Sequence, residues 1–134
     1  MTHKELYELA VKARHNAYAP YSSFKVGAAL LCADGSVYTG CNIENAAFSP
    51  TVCAERVAVF KAVSSGKYKL HADKRDFMAI AIAGGRSDAD IIQSCYPCGV
   101  CRQVLAEFCT PGFIVVTSDG AITLGELLPR AFEF

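Results

Sequence analysis

Apolar residues recur at helical spacing from the start of the chain. Leu6, Leu9, Ala10, Ala13 and Ala17 share one face, Thr2 with Glu5 forms a capping-box pattern, and Ala19-Pro20 stops the run. A first helix is therefore predicted, with His15 on its polar face beside Glu8 and Lys12. The run FKVGAALLC, the turn signal Asp34-Gly35 and the segment VYTGCN read as a two-stranded hairpin, in which Gly27 marks a close backbone approach. NIENAAFSPTV has no period and reads as a long loop, after which CAERVAVFKAVSS restores helical spacing until Gly66 ends it. FMAIAIA has the continuous apolar character of a buried strand, and Gly84-Gly85 with the polar stretch to Ser94 reads as a loop. CGVCRQVLAEFC is a third helix closed by Pro111-Gly112, and FIVVT is a further buried strand. SDG then makes a turn, and Thr123 with Glu126 caps a short last helix at LGELLP. A hairpin followed by alternating helices and strands predicts an α/β layer architecture, a mixed sheet with helices on both faces, as one domain over residues 1–134.

Charge narrows the partners. Thirteen basic residues balance thirteen acidic ones with no run of Lys or Arg, so the electrostatic footprint of a nucleic-acid binder is missing and a small ligand is favoured. The start MTHKELYELAVKA does not resemble a signal peptide, and no apolar stretch approaches a membrane span, so a cytoplasmic protein is expected. Thiols stay reduced there, and seven cysteines are an odd number for a disulfide framework.

Among those cysteines, the stretch PCGVC at 97–101 allows a redox pair, half of a disulfide framework or half of a zinc site. Pro97 suits the edge of a helix, and residues three apart share a helical face, so Cys98 and Cys101 can point the same way from a first turn. Cys53 opens the other cysteine-led helix, and the positive end of a helix dipole favours thiolate at both places. Three thiolates at two helix N-termini make a metal site, and three protein ligands with an open position are the layout of a catalytic zinc. Glu55 can then serve as general acid and base, provided that Cys53 lies at the non-helical cap position and Glu55 just inside the helix. A redox protein would have no use for Cys53-Ala54-Glu55, and a noncatalytic zinc module would need a fourth ligand. Cys32, Cys41, Cys95 and Cys109 are most simply small buried apolar residues, and His3, His15 and His71 show no ligand spacing and are expected at the surface.

Through YAPYSSFKVGAAL, GCNIENAAFSPTVCAERVA, PCGVCRQVL and ELLPRAF the sequence resembles the short, homotetrameric cytidine deaminases, over nearly the whole chain. That resemblance implies a three-layer α/β/α fold with a mixed, about five-stranded sheet and one Zn²⁺ per chain on Cys53, Cys98 and Cys101. It implies hydrolysis of cytidine and 2′-deoxycytidine to the uridines with release of ammonia, a pyrimidine-salvage reaction in which Glu55 shuttles the protons. Phe24 resembles the aromatic partner of the pyrimidine, Asn42 and Glu44 the groups on the ribose 3′-hydroxyl, and the backbone at Ala54 the contact to the base edge. Phe132 is implied to reach a neighbouring subunit's site, so that sites are shared within a homotetramer. Phe48 departs from the tyrosine that relatives often carry. Three thiolates leave a zinc site with a net negative charge, and Arg56, three residues after Cys53, is expected to donate to the ligand sulfurs, with Arg102 the weaker candidate. The alternative within the same chemistry is a deaminase of another cytosine-containing compound such as blasticidin S, which NIENAAF disfavours.

Overall fold

The computed structural model describes residues 1–70, 73–89 and 91–134. Helix α1 (His3–Ala13) leads into strands β1 (Phe24–Cys32) and β2 (Val37–Cys41), helix α2 (Ala54–Ser64), and strands β3 (Phe77–Arg86) and β4 (Ile92–Gln93). Helix α3 (Gly99–Phe108), strands β5 (Ile114–Thr117) and β6 (Gly120–Thr123), and the short helix α4 (Leu124–Leu127) follow. The sheet is mixed, in the order β2-β1-β3-β5-β6, with β4 paired to the end of β3. Among the strands of the described residues, β3 and β5 pair in parallel, with β4 and α3 between them in the chain, while the other strand pairings are antiparallel.

Side-chain alternation along β3 builds the layers. Ala79, Ala81 and Ala83 face α1 with Leu6 and Ala10, whereas Ile80 and Ile82 face Ala58, Val59 and Leu105 of α2 and α3. Small residues on the first face let α1 lie close, and the branched ones fill the deeper space under α2 and α3. Two glycines tighten both layers. A Cβ at Gly27 would stand 2.1 Å from the Ala10 carbonyl oxygen, and one at Gly40 would stand 2.4 Å from that of Ala54, so α1 and the first turn of α2 rest directly on bare strand backbone.

The structure corrects three boundaries. The first helix ends at Ala13 and tightens into a 3-10 turn over Arg14–Asn16, well before Ala19-Pro20. Arg14 is buried there, its guanidinium donating to the Lys25 and Arg86 carbonyls, a use of a polar residue that helical periodicity does not register. Gly84 and Gly85 belong to β3 rather than to a loop, and AIT after the turn at 118–119 forms most of β6. His3 and His15 are exposed; His71 lies outside the described residues.

Gly27→Ala is expected to lower the unfolding free energy by about 3 kcal/mol, because the added methyl group overlaps helix backbone that can yield only by lifting α1. Urea titration of both proteins checks this, and coincident midpoints would show that α1 can lift at no cost.

Candidate active site at the strand ends

Cys53 caps α2 in an extended conformation, φ −79° and ψ 156°, and Cys98 caps α3 likewise, φ −67° and ψ 170°. The geometric condition on Glu55 is met: with Cys53 outside the helix, Glu55 enters the first turn and both groups address the mouth of α2. Cys101 follows one turn into α3. The three sulfurs lie within 4.8 Å of one another, with 3.8 Å between those of Cys53 and Cys98. Four sulfur-length bonds of about 2.3 Å around a tetrahedral zinc imply S···S edges of about 3.8 Å, so the cluster has the dimensions and the soft donors for one zinc ion. Cys101 is buried and Cys98 exposed, so the cluster opens to one side.

Its electrostatics are those of a thiolate nest. The Cys101 thiol donates to the Cys53 sulfur and, with help from Arg56, brings Cys53 down to about 5, while the same bond pushes Cys101 up. Arg56 Nη2 lies 3.5 Å from the Cys53 sulfur, with its Nε buried and unpartnered. A cation in the first turn of a helix opposes the dipole, and here the sulfur charge offsets that cost. Glu55 is buried, and desolvation followed by the charge of Cys53 pushes its carboxyl up to about 7. Arg102 does not serve the sulfurs: its guanidinium donates to the Pro97 and Leu127 carbonyls at 2.7 Å each, tying the loop before α3 to α4.

Around this cluster, Asn42 spans the start of β1, its Oδ1 accepting from the Val26 N–H at 2.8 Å and its Nδ2 donating to the Phe24 carbonyl at 2.9 Å. Glu44 accepts from the backbone N–H groups of Tyr21 and Ser22 and from the Ser22 hydroxyl, which hold its carboxyl below the usual range. Ala54 is fully buried at the first helical position, and since the first intrahelical bond runs from Val57 N–H to the Cys53 carbonyl, the preceding amides are left for other partners.

Residues 1–117 match the family described as the cytidine and deoxycytidylate deaminase zinc-binding region. A cytidine deaminase of Sporosarcina psychrophila is 50% identical over 91% of this chain and 85% of its own length. The crystal structure of a Burkholderia pseudomallei cytidine deaminase superposes with a TM-score of 0.84 at 44% identity, covering 98% of this chain and all of the other. The chain belongs to the cytidine deaminase family. A blasticidin-S deaminase of Bacillus cereus is also similar, at 28% identity over 96% of this chain and 90% of its own length.

Within this deaminase chain the tail stands apart from the cluster. Phe132 is 69% exposed and borders a cavity lined by Lys74, Ala106, Cys109 and Leu128, at the C-terminal end of α3, whereas the sulfurs sit at its N-terminal end. Two contributors to the site's surroundings escaped sequence reasoning. Ser94 and Tyr96 both donate to Asp119, fastening the segment before Pro97 to the turn after β5. Cys95, expected to be inert filling, is half-buried and near enough to feel the charges of Glu55 and Cys53. No spacing rule joins Asp119 to residues 94–96; only the pairing of β3 with β5 does.

Glu55 sets an expected pH dependence. Between the ordinary carboxyl value of 4.5 and about 7, the folded chain binds more protons than the unfolded one, so this residue's contribution weakens stability as pH rises through that window. Glu55→Gln is therefore expected to be more stable than wild type at pH 8, by on the order of 1–3 kcal/mol, with the difference fading towards pH 4.5. Denaturation of both proteins after removal of zinc checks the sign across this range, and a gap that widens towards acid would refute it.

Proposed function

We propose that this chain is a single-domain, zinc-dependent hydrolase that deaminates cytidine and 2′-deoxycytidine in the cytoplasm, in pyrimidine salvage. The observation that carries the reading is Glu55, a buried carboxyl at the mouth of α2 beside three convergent sulfurs. Cys53, Cys98 and Cys101 would hold the ion, and zinc bound there would supply the Lewis acid that activates water. Glu55, able to gain and lose a proton near neutrality, moves one hydrogen of that water to N3 of the base and the other to the departing amine. The water oxygen becomes the carbonyl oxygen at C4, and ammonia leaves, so the atoms balance. Arg56 offsets the negative charge that three thiolates leave on the site. Phe24 stacks on the pyrimidine, Ala54 N–H meets the polar edge of the base, and Asn42 and Glu44 take the ribose 3′-hydroxyl; the second hydrogen of the Asn42 amide is available for this.

Nucleoside chemistry is favoured over blasticidin S by the weaker likeness to the latter's deaminase. The deciding assay follows ammonia release from cytidine, deoxycytidine, cytosine, CMP and blasticidin S beside a zinc determination. Release from blasticidin S alone would overturn the nucleoside reading. Glu55→Ala is expected to keep about one zinc per chain while deamination falls about 10²–10⁴-fold. Cys98→Ala is expected to lose metal and activity together. If Glu55→Ala lost activity only in step with its zinc, the proton-shuttle role would fail.

The assembly is read as a homotetramer with shared sites. Tyr18, Tyr21, Ile43 and Phe48 are exposed together with Phe132, which supports their burial against neighbouring copies. Phe132 of one subunit then covers the pyrimidine in another. After dissociation and reassembly, mixtures of Glu55→Ala and Phe132→Ala chains are expected to be more active at low substrate than the sum of the two parents, because some sites regain both residues. Simple additivity after verified exchange would rule out sharing.

A further inference from the structure

At the strand-end edge, β3 arrives as Gly84-Gly85, and two side chains close over the first of these. A Cβ at Gly84 would lie 2.7 Å from Cε1 of Phe24, 2.9 Å from Sγ of Cys95 and 3.1 Å from its Cβ. The ring edge and the thiol thus share the volume that any other residue at position 84 would fill. Both belong to the α2 and α3 side of the sheet, where Val26, next but one to Phe24, and Cys95 pack against the same core. The Phe24 backbone is held separately, its carbonyl by Asn42 Nδ2 at 2.9 Å and its N–H by the Ser22 hydroxyl at 3.0 Å. What this leaves free is rotation of the ring about its two side-chain torsions, and Gly84 beneath and Cys95 alongside limit that rotation. Burial, followed by the charges of Glu55 and Cys53, pushes the Cys95 thiol up to about 12, so it is a neutral wall next to the sulfur cluster.

We infer that Gly84 and Cys95 are positioning residues that fix the plane of the Phe24 ring for stacking on the pyrimidine. The inference rests on the nucleoside reading above. A ring that is set before substrate arrives loses no side-chain freedom on binding, so the pair acts on affinity and leaves proton transfer at Glu55 alone. Cys95 needs no ligand or redox role for this: its size and its apolar surface suffice.

The test is a double-mutant cycle through Phe24. Gly84→Ala and Cys95→Ala are each combined with wild-type Phe24 and with Phe24→Ala, and KM, kcat, zinc content and the calorimetric Kd for uridine are measured. In the Phe24 background each change is expected to raise KM and the uridine Kd about tenfold, with kcat within about twofold and zinc unaltered. In the Phe24→Ala background the same changes are expected to move both by less than about twofold, since the ring they act through is gone. Equal losses in both backgrounds, or a fall in kcat at constant KM, would overturn the positioning role of Gly84 and Cys95. Should Gly84→Ala fail to fold, the Cys95→Ala arm carries the same cycle on its own. Wild-type protein that neither deaminates cytidine nor binds uridine would overturn the nucleoside reading itself, whereas additivity in an active enzyme removes only the positioning role of Gly84 and Cys95.

Discussion

Because β2 and β3 each pair antiparallel with β1, they run the same way, and β5 joins them by its parallel pairing with β3. A helix that follows a strand begins where that strand ends, and the two-residue β4 stays beside the last residues of β3, so α2 after β2 and α3 after β3 and β4 start along one edge of the sheet. The convergence of Cys53 on Cys98 and Cys101 is thus a result of strand direction. β1, running the other way, begins at this edge with Phe24, and the segment leaving β2 carries Asn42 and Glu44 past it. β6 points oppositely to β5, which delivers α4 and the terminal phenylalanines to the far edge.

Once the helix ends meet, their charges have to be reconciled. Two positive dipole ends and Arg56 stabilise sulfur anions, and Glu55 enters the same space as a potential further anion. Burial and the Cys53 charge push its carboxyl up to about 7, so the crowding that gathers the sulfurs also favours the protonated carboxyl. Moving the carboxylate to a solvated position would return it towards the ordinary carboxyl range.

Local chemistry was readable wherever it depends on near neighbours in the chain. Thr2 with Glu5 and Thr123 with Glu126 are capping boxes in the structure, and Cys53 takes the extended cap conformation that puts Glu55 in the first turn of α2. The strand-like run FKVGAALLC, the buried run FMAIAIA and the close approach at Gly27 all have their counterparts in the sheet. What escaped reading depends on partners distant in sequence. Arg14 is buried because the Lys25 and Arg86 carbonyls face it, Arg102 is spent on Pro97 and Leu127, and Gly84 is a strand residue because Val26 and Gln93 pair on either side of it. A four-residue strand such as GAIT carries too few alternating positions to be told from a turn.

The sulfur cluster also joins parts of the chain that are far apart: Cys53 and Cys98 are separated by 45 positions. An ion held by both closes that span as a cross-link would, and in chain-entropy terms a loop of this size confines the unfolded ensemble by on the order of 4 kcal/mol. The metal is therefore a clasp as well as a reagent. It would tie the start of α2 to the start of α3 over the apolar core that Ala58, Val59 and Leu105 already share beneath it.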